Sequence, residues 1–112
     1  MSKFDDCVAK YESEFKKLGV KYDADLLRKV AKGCGPSIYN ADASKVSSGD
    51  PAELDRVKKN FLMKKLGLKD GAALDSAIAD VVNTLGSSNR NKYRAMFYYL
   101  LVKNFKKASV YK

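Results

Sequence analysis

The sequence predicts an all-α domain, a compact bundle of about five helices with the C-terminal helix at its centre. Three observations favour this class. Apolar residues recur at spacings of three and four, no segment alternates polar and apolar residues as a strand does, and glycines with capping residues divide the chain into helical segments. With 112 residues and 46% apolar content, the chain suits a single domain, residues 1–112, around one modest core.

The first two helices are predicted from apolar spacing and from their caps. Gly19 is expected to end the first helix as a C-terminal cap. Asp23 is the expected N-cap of a shorter second helix, which Gly33 ends. Residues 33–49 are rich in glycine and small polar residues, so we expect a loop with one helical turn near residues 42–45. The apolar stripe of the first helix is formed by Phe4, Val8, Tyr11, Phe15 and Leu18.

A third helix begins with a strong start signal. Asp50 can accept hydrogen bonds from the first free N–H groups, and Pro51 suits the first helical position. Glu53 can accept a hydrogen bond from the backbone N–H of Asp50, as the acidic residue of a capping box does. The helix is expected to run to Leu66 and to stop at Gly67.

The last two helices follow similar signals. Residues 70–71 (Asp-Gly) open a fourth helix, and Gly86 ends it. Residues 87–89 (Ser-Ser-Asn) are expected to cap a fifth and longest helix that runs to about Lys106. The apolar side of the fourth helix is formed by Leu74, Ile78, Val81, Val82 and Leu85.

The fifth helix is apolar nearly all round. Such a helix is usually the buried centre of its domain, which favours a central helix wrapped by the other four. The alternative is that one aromatic flank stays exposed and binds a partner, for example a second copy of the chain. Its apolar residues are Tyr93, Met96, Phe97, Tyr98, Tyr99, Leu100, Leu101, Val102 and Phe105.

Composition excludes several kinds of chemistry. The chain has no histidine, which removes histidine metal sites, histidine general bases and Ser–His or Cys–His nucleophile pairs. Cys7 and Cys34 have no second pair to complete a metal site and are expected to be reduced thiols. Cys34 follows a helix C-terminus, whose partial negative charge raises a thiol pKa. We therefore expect no enzymatic activity, no cofactor and no bound metal.

The chain shows no sign of secretion or membrane insertion. Its first residues have no apolar stretch behind a basic start. The longest apolar run covers residues 95–102, whereas a membrane-spanning helix needs about 20 residues. We expect a soluble, cytoplasmic protein that does not associate with membranes.

Four stretches carry a resemblance to a known family. They are KYDADLL (21–27), GPSIYNADAS (35–44), VKKNFLMKKLGL (57–68) and SNRNKYRAMFYYLL (88–101). The chain resembles a family of short bacterial proteins catalogued as a domain of unknown function, over nearly its whole length. The resemblance implies a bacterial, cytoplasmic, free-standing domain, and it carries no activity or catalytic residue over to this chain.

Positive charge is the main functional signal. The chain has 22 basic and 13 acidic side chains, a net charge of +9, and residues 71–112 alone hold seven basic and two acidic ones. At the start of helix five, Arg90, Lys92 and Arg94 surround Tyr93. Guanidinium groups beside a helix N-terminus suit a phosphate or a carboxylate. The alternative is that the arginines bind acidic residues of a neighbouring helix while Tyr93 lies in the core.

The third helix carries a second set of cations. At 100° per residue, Lys58 and Lys65 fall within its apolar arc, whereas Lys59 points away. Their stems can lie on apolar surface while the ammonium groups reach water. The alternative is a partly covered anion site shared with Arg90 and Arg94.

The sequence therefore predicts a small basic helical binding module that contacts RNA or DNA phosphates. The alternative is a protein-interaction or structural module that has no enzymatic activity and binds through the aromatic C-terminal helix. In one version of this alternative, the partner is a second copy of the chain, which gives a homodimer. The candidate nucleic-acid or anion-binding residues are Lys58, Lys59, Lys65, Arg90, Lys92, Arg94, Lys103, Lys106 and Lys107.

Overall fold

Helices make up the regular structure in a computed structural model that describes residues 3–40, 43–86, 89 and 92–111. The all-α prediction is confirmed. The helices are α1 (Lys3–Leu18), α2 (Ala24–Gly33), α3 (Pro51–Arg56) with a π-helical continuation (Val57–Lys65, the π segment), α4 (Ala72–Leu85) and α5 (Arg94–Asn104). Two 3₁₀ turns accompany them, Gly35–Tyr39 and Ala108–Tyr111.

Local capping sets the ends of the first two helices as predicted. The Asp23 carboxylate accepts from the N–H of Leu26 at 3.3 Å, which satisfies one free donor at the start of α2. At the end of α1, Gly19 has a φ of +71°. The N–H of Val20 then donates to the Phe15 carbonyl at 3.0 Å, the closing bond of a Schellman motif.

The fifth helix begins later than predicted. It starts at Arg94 rather than after a cap at 87–89, and its 11 residues are fewer than the 16 of α1. The Arg94 N–H donates to the Ser44 carbonyl at 2.7 Å, and the Val46 N–H donates to the Lys92 carbonyl at 2.8 Å. Because this antiparallel pairing holds the chain extended, the helix cannot begin before it. Positions 87 and 88 of the predicted cap lie outside the described residues.

The loop after α2 contains a 3₁₀ turn, Gly35–Tyr39, and then a bond of helical type, from the Ser44 N–H to the Asn40 carbonyl at 2.8 Å, beside the turn predicted near residues 42–45. Gly35, with a φ of +70°, allows the chain to leave α2, and Pro36 suits the start of the 3₁₀ turn that follows. Of the predicted turn, residue 42 lies outside the described residues. Lys45 forms an isolated antiparallel bridge with Tyr93 and is not helical.

The third helix is not a single α-helix. From Val57 onward it has the wider π register, in which the Leu66 N–H donates to the carbonyl of Phe61, five residues back, at 3.0 Å. Its buried residues, Val57, Phe61, Leu62 and Leu66, recur at spacings of four and five instead of three and four. The wider π turn therefore explains why the α-helical value of 100° per residue places Lys65, which is exposed, within the apolar arc.

The C-terminal helix lies at the centre, as predicted. It packs against α2 and α4, and its buried residues are Ala95, Met96, Phe97, Tyr99, Leu101 and Val102. Tyr98 and Phe105 are half-buried, so the described part of α5 presents no exposed aromatic flank. The homodimer alternative thus lacks this surface and stays a prediction from the sequence. None of the described helices has the length and hydrophobicity that a membrane-spanning segment requires.

Candidate functional site

Arg94, the first residue of α5, anchors that helix to two other parts of the fold. Its Nε donates to the Ala43 carbonyl at 2.8 Å, and its Nη2 donates to Glu53 Oε1 at 2.7 Å. Its Nη1 donates to the hydroxyl of Tyr98, one turn along α5, at 2.9 Å. The guanidinium thereby ties the start of α5 to α3 and to the loop before α3.

Glu53 is the buried carboxylate at this junction. Its second oxygen accepts from Arg56 Nη2 at 2.8 Å, so one carboxylate binds two guanidinium groups. Burial opposes its ionised form, but the hydrogen bonds from Arg56 and Arg94 outweigh burial and hold the pKa of Glu53 below its usual value. The expectation that Glu53 reaches back to the cap is wrong, because the Asp50 N–H donates to the Ser47 carbonyl instead.

A cavity of about 240 Å³ lies beside Arg94, between the end of α2, the π segment and the first turn of α5. Its polar lining residues are Cys34, Asn60, Lys65, Arg94, Tyr98 and Tyr111. The sequence hypothesis of a partly covered site shared by helix three and Arg94 therefore has a counterpart for Lys65. Lys58 lies elsewhere, and Arg90 is outside the described residues.

Two aromatic contacts build the cavity walls. The ring of Tyr98 stacks on that of Phe61, with centroids 3.9 Å apart and planes inclined by 12°. The ring of Tyr111 lies against Gly33, where a Cβ atom would come within 3.0 Å of the ring. Lys65 places its Nζ over the Tyr111 ring, 5.2 Å from the centroid. The C-terminal 3₁₀ turn is thus packed onto the end of α2.

A tight turn after α5 positions that segment. Lys106 has a φ of +55°, and the Lys107 N–H donates to the Val102 carbonyl at 3.0 Å. These are the features of a Schellman motif, whose left-handed residue is usually glycine. At the equivalent place after α1 the chain has Gly19.

Three of the predicted binding residues are already paired within the molecule. Lys58 is 17% exposed and lies 2.8 Å from Asp70 and 3.2 Å from Asp75, whose hydrogen bonds raise the pKa of the lysine. Lys59 pairs with Asp55 at 3.0 Å on the same helix. For the third, Arg94, the structure supports the alternative in which the arginine binds an acidic residue of a neighbouring helix.

The start of α5 is not an exposed cationic cluster in the part of the chain that the structure describes. Lys92 is 2% exposed, its Nζ donates to the Asn89 carbonyl, and burial lowers its pKa. Arg90 lies outside the described residues. Tyr93 is half-buried and packs on Tyr11, with ring centroids 5.4 Å apart. Lys92 therefore lies in the interior and Arg94 bonds to Glu53, so neither belongs to an exposed cluster of the kind that the sequence predicted.

The remaining four predicted residues stay available to a ligand. None of them forms an ion pair with a described residue. Three are exposed to solvent, and Lys107 is half-buried. They are Lys65, Lys103, Lys106 and Lys107, which we call the C-terminal basic surface.

The fold and the site define a small basic all-α domain whose central helix is anchored by a half-buried arginine beside a cation-lined cavity. The family described as a protein of unknown function (DUF2853) matches residues 10–109. The chain belongs to this family, in agreement with the resemblance seen in its sequence. A comparison with curated proteins finds no match.

Proposed function

We propose that the chain is a non-enzymatic binding module that contacts the phosphates of RNA or DNA through the C-terminal basic surface. One observation carries this proposal. Three stretches without any Asp or Glu, residues 26–41, 56–69 and 81–112, meet where Tyr111 packs on Gly33 and under Lys65. Because these stretches contain no carboxylate, no acidic residue of the same segments offsets the positive potential of their lysines, and such a potential attracts a polyanion.

The backbone at Lys106 gives a second argument. A non-glycine residue in the left-handed region costs about 1 kcal/mol, and such strain is concentrated at functional positions. The Schellman motif after α1 has Gly19 at the position that Lys106 holds after α5, so this fold uses glycine, the usual residue, in one of the two motifs. A lysine at position 106 adds a cation to the basic surface at the expense of stability.

The first test is the binding of labelled duplex DNA and single-stranded RNA, measured by fluorescence anisotropy at about 50 and 200 mM salt. We expect micromolar affinity that falls steeply with salt. Changing Lys103, Lys106 and Lys107 together to glutamine should remove about three phosphate contacts and make the log–log salt slope for duplex DNA shallower by about 3.

A second triple variant controls for net charge. Lys3, Lys16 and Lys21 are exposed, lie outside the three acid-free stretches and form no ion pair with a described residue, so their change to glutamine removes the same charge elsewhere. This variant should bind almost as well as the unchanged protein. An equal loss of affinity in both triple variants, or no binding of the unchanged protein at the lower salt, would refute the proposal.

A single substitution at the turn separates stability from binding. Lys106→Gly should raise the free energy of unfolding by about 0.5–1 kcal/mol, because glycine adopts the left-handed conformation without strain. The same variant should bind nucleic acid more weakly, because it loses one cation. Thermal unfolding and anisotropy measure the two effects.

The reciprocal change is the matched control. Gly19→Lys should lower stability by a similar amount, since a Cβ at that position meets no atom within 4 Å and backbone strain alone is added. Undiminished affinity of Lys106→Gly would show that this lysine does not serve binding.

A further inference from the structure

The cavity beside Arg94 has an excess of positive charge. Arg94 lines this cavity and shares the carboxylate of Glu53 with Arg56, so these three side chains together carry a net charge of +1. Lys65 adds a second positive charge, and its contact in the cavity wall is the aromatic ring of Tyr111. None of the residues that line the cavity is acidic. The site therefore favours a ligand with one or two negative charges.

Hydrogen-bond donors are present next to these charges. The bonds of Arg94 to Ala43, Glu53 and Tyr98 account for three of the five N–H groups of its guanidinium. Because the Tyr98 hydroxyl accepts from Arg94, its own proton is left to donate to another group. Asn60 adds a side-chain amide to the lining. Arginine forks and hydroxyl donors suit the oxygens of a tetrahedral anion.

The size of the cavity limits the ligand. Its volume of about 240 Å³ holds a small ion with some water. Sites for drug-sized ligands are roughly 300–1,000 Å³, so a whole nucleotide is too large for this one. Charge, donors and volume together select a small oxyanion.

Cys34 is compatible with such a ligand and can report on it. Burial raises the pKa of its thiol to about 11, although Arg94 and Lys65 act in the opposite direction. The thiol is therefore neutral at physiological pH and does not repel an anion. Cys34 lines the same cavity as Arg94 and Lys65, so its sulfur is next to the proposed site.

We propose that this cavity is a binding site for a small oxyanion of the phosphate type, held by Arg94 and Lys65. This site is separate from the proposed contact with nucleic acid, although Lys65 borders both. Free phosphate and the terminal phosphate of a larger molecule share the chemistry that the site recognises.

The test uses the rate at which iodoacetamide alkylates Cys34 in a Cys7→Ser background, so that only one thiol reacts. Inorganic phosphate is titrated through the millimolar range at constant ionic strength, with chloride as the balancing anion. Phosphate should slow alkylation to a saturating limit, because a bound anion covers the thiol and disfavours its thiolate. A rate that does not change with phosphate would overturn the proposal.

Matched variants of the π segment locate the effect. Lys65→Gln should raise the phosphate concentration for half-maximal protection by about tenfold, the size expected for one charge-assisted hydrogen bond. Lys59→Gln removes the same charge from an exposed residue that is paired with Asp55 outside the cavity, and should have no effect. Equal shifts in both variants would mean that phosphate acts through general charge, which also overturns the proposal.

Two further measurements separate this site from the nucleic-acid surface and identify the source of the phosphate. The triple glutamine variant at positions 103, 106 and 107 should keep full protection by phosphate while it loses affinity for nucleic acid. A short oligonucleotide with a 5′-phosphate should protect Cys34 better than its unphosphorylated form if the site takes a terminal phosphate. Equal weak protection by both oligonucleotides, with strong protection by inorganic phosphate, assigns the site to the free ion.

Discussion

Replacement of Glu53 by glutamine is expected to lower the free energy of unfolding by about 3 kcal/mol. The substitution removes the negative charge that both Arg56 and Arg94 bind, while it keeps the shape of the side chain. The Arg94 side chain is only 19% exposed, so water can replace the lost partner only in part. A charge left unpaired in such a place is costly. Urea or thermal unfolding measures the change.

A nearby ion pair provides the control. Asp55 and Lys59 form an exposed pair on the same helix, with side chains 52% and 65% accessible. Because water solvates both groups, Asp55→Asn should change stability by about 0.5 kcal/mol at most. If Glu53→Gln is no more destabilising than Asp55→Asn, the Arg94 junction does not anchor α5.

The pH dependence of this difference has a defined sign. The pKa of Glu53 is lower in the folded chain than its usual value, so its stabilising effect is present above that usual value. The effect is lost as the pH falls through the folded-state pKa. The stability gap between the unchanged protein and Glu53→Gln should therefore close in acid and be full at neutral pH.

Truncation of Phe61 to alanine is expected to cost about 3–5 kcal/mol. Its side chain is 5% exposed and stacks on Tyr98 in the wall of the cavity. Removal of the ring creates a void next to an existing cavity and leaves the Tyr98 ring without its partner. Chemical unfolding of the variant measures the loss.

Two other substitutions show whether packing causes that loss. Phe61→Leu keeps most of the volume and should restore more than half of the stability lost by Phe61→Ala. Tyr39 is 48% exposed, so Tyr39→Ala should change stability by about 0.5 kcal/mol. A cost below about 1 kcal/mol for Phe61→Ala would contradict the stacked geometry in the cavity wall.

The parts of the fold that the sequence predicted well are those that neighbouring residues decide. The N-cap at Asp23 and the glycine caps at positions 19 and 86 act on backbone groups within one turn. The buried stripe of α4 follows the same local periodicity, from Leu74 to Leu85. All the residues that produce such a signal are close together in the sequence, so the signal can be interpreted without knowledge of the tertiary structure.

The start of α5 shows why other parts were missed. Residues 87–89 have the composition of a cap, but the pairing of residues 92–94 with residues 44–46 competes with helix formation. The partner segment, residues 44–46, lies far away in the sequence, and nothing in the composition of either segment indicates that the two pair. Tertiary contacts therefore overrode a local signal.

The π segment was predictable in principle. Its buried residues at 57, 61, 62 and 66 are spaced by four and five, and Lys65, which is exposed although it falls inside the assumed apolar arc, was the sign of a wrong period. In the candidate site, Lys65 and Arg94 were identified from sequence. Tyr111 was missed because its position depends on the fold-back of the C-terminal turn onto Gly33.

The anchoring of α5 also bears on how the chain reaches its native state. Most contacts in a helical bundle are local and form quickly. Arg94, however, bonds to Glu53 and Ala43, which are 41 and 51 positions away in the sequence. These bonds require the closure of a long loop, whose entropic cost must be met before the contacts stabilise the chain. We therefore expect the docking of the central helix, and not the formation of individual helices, to limit the folding rate.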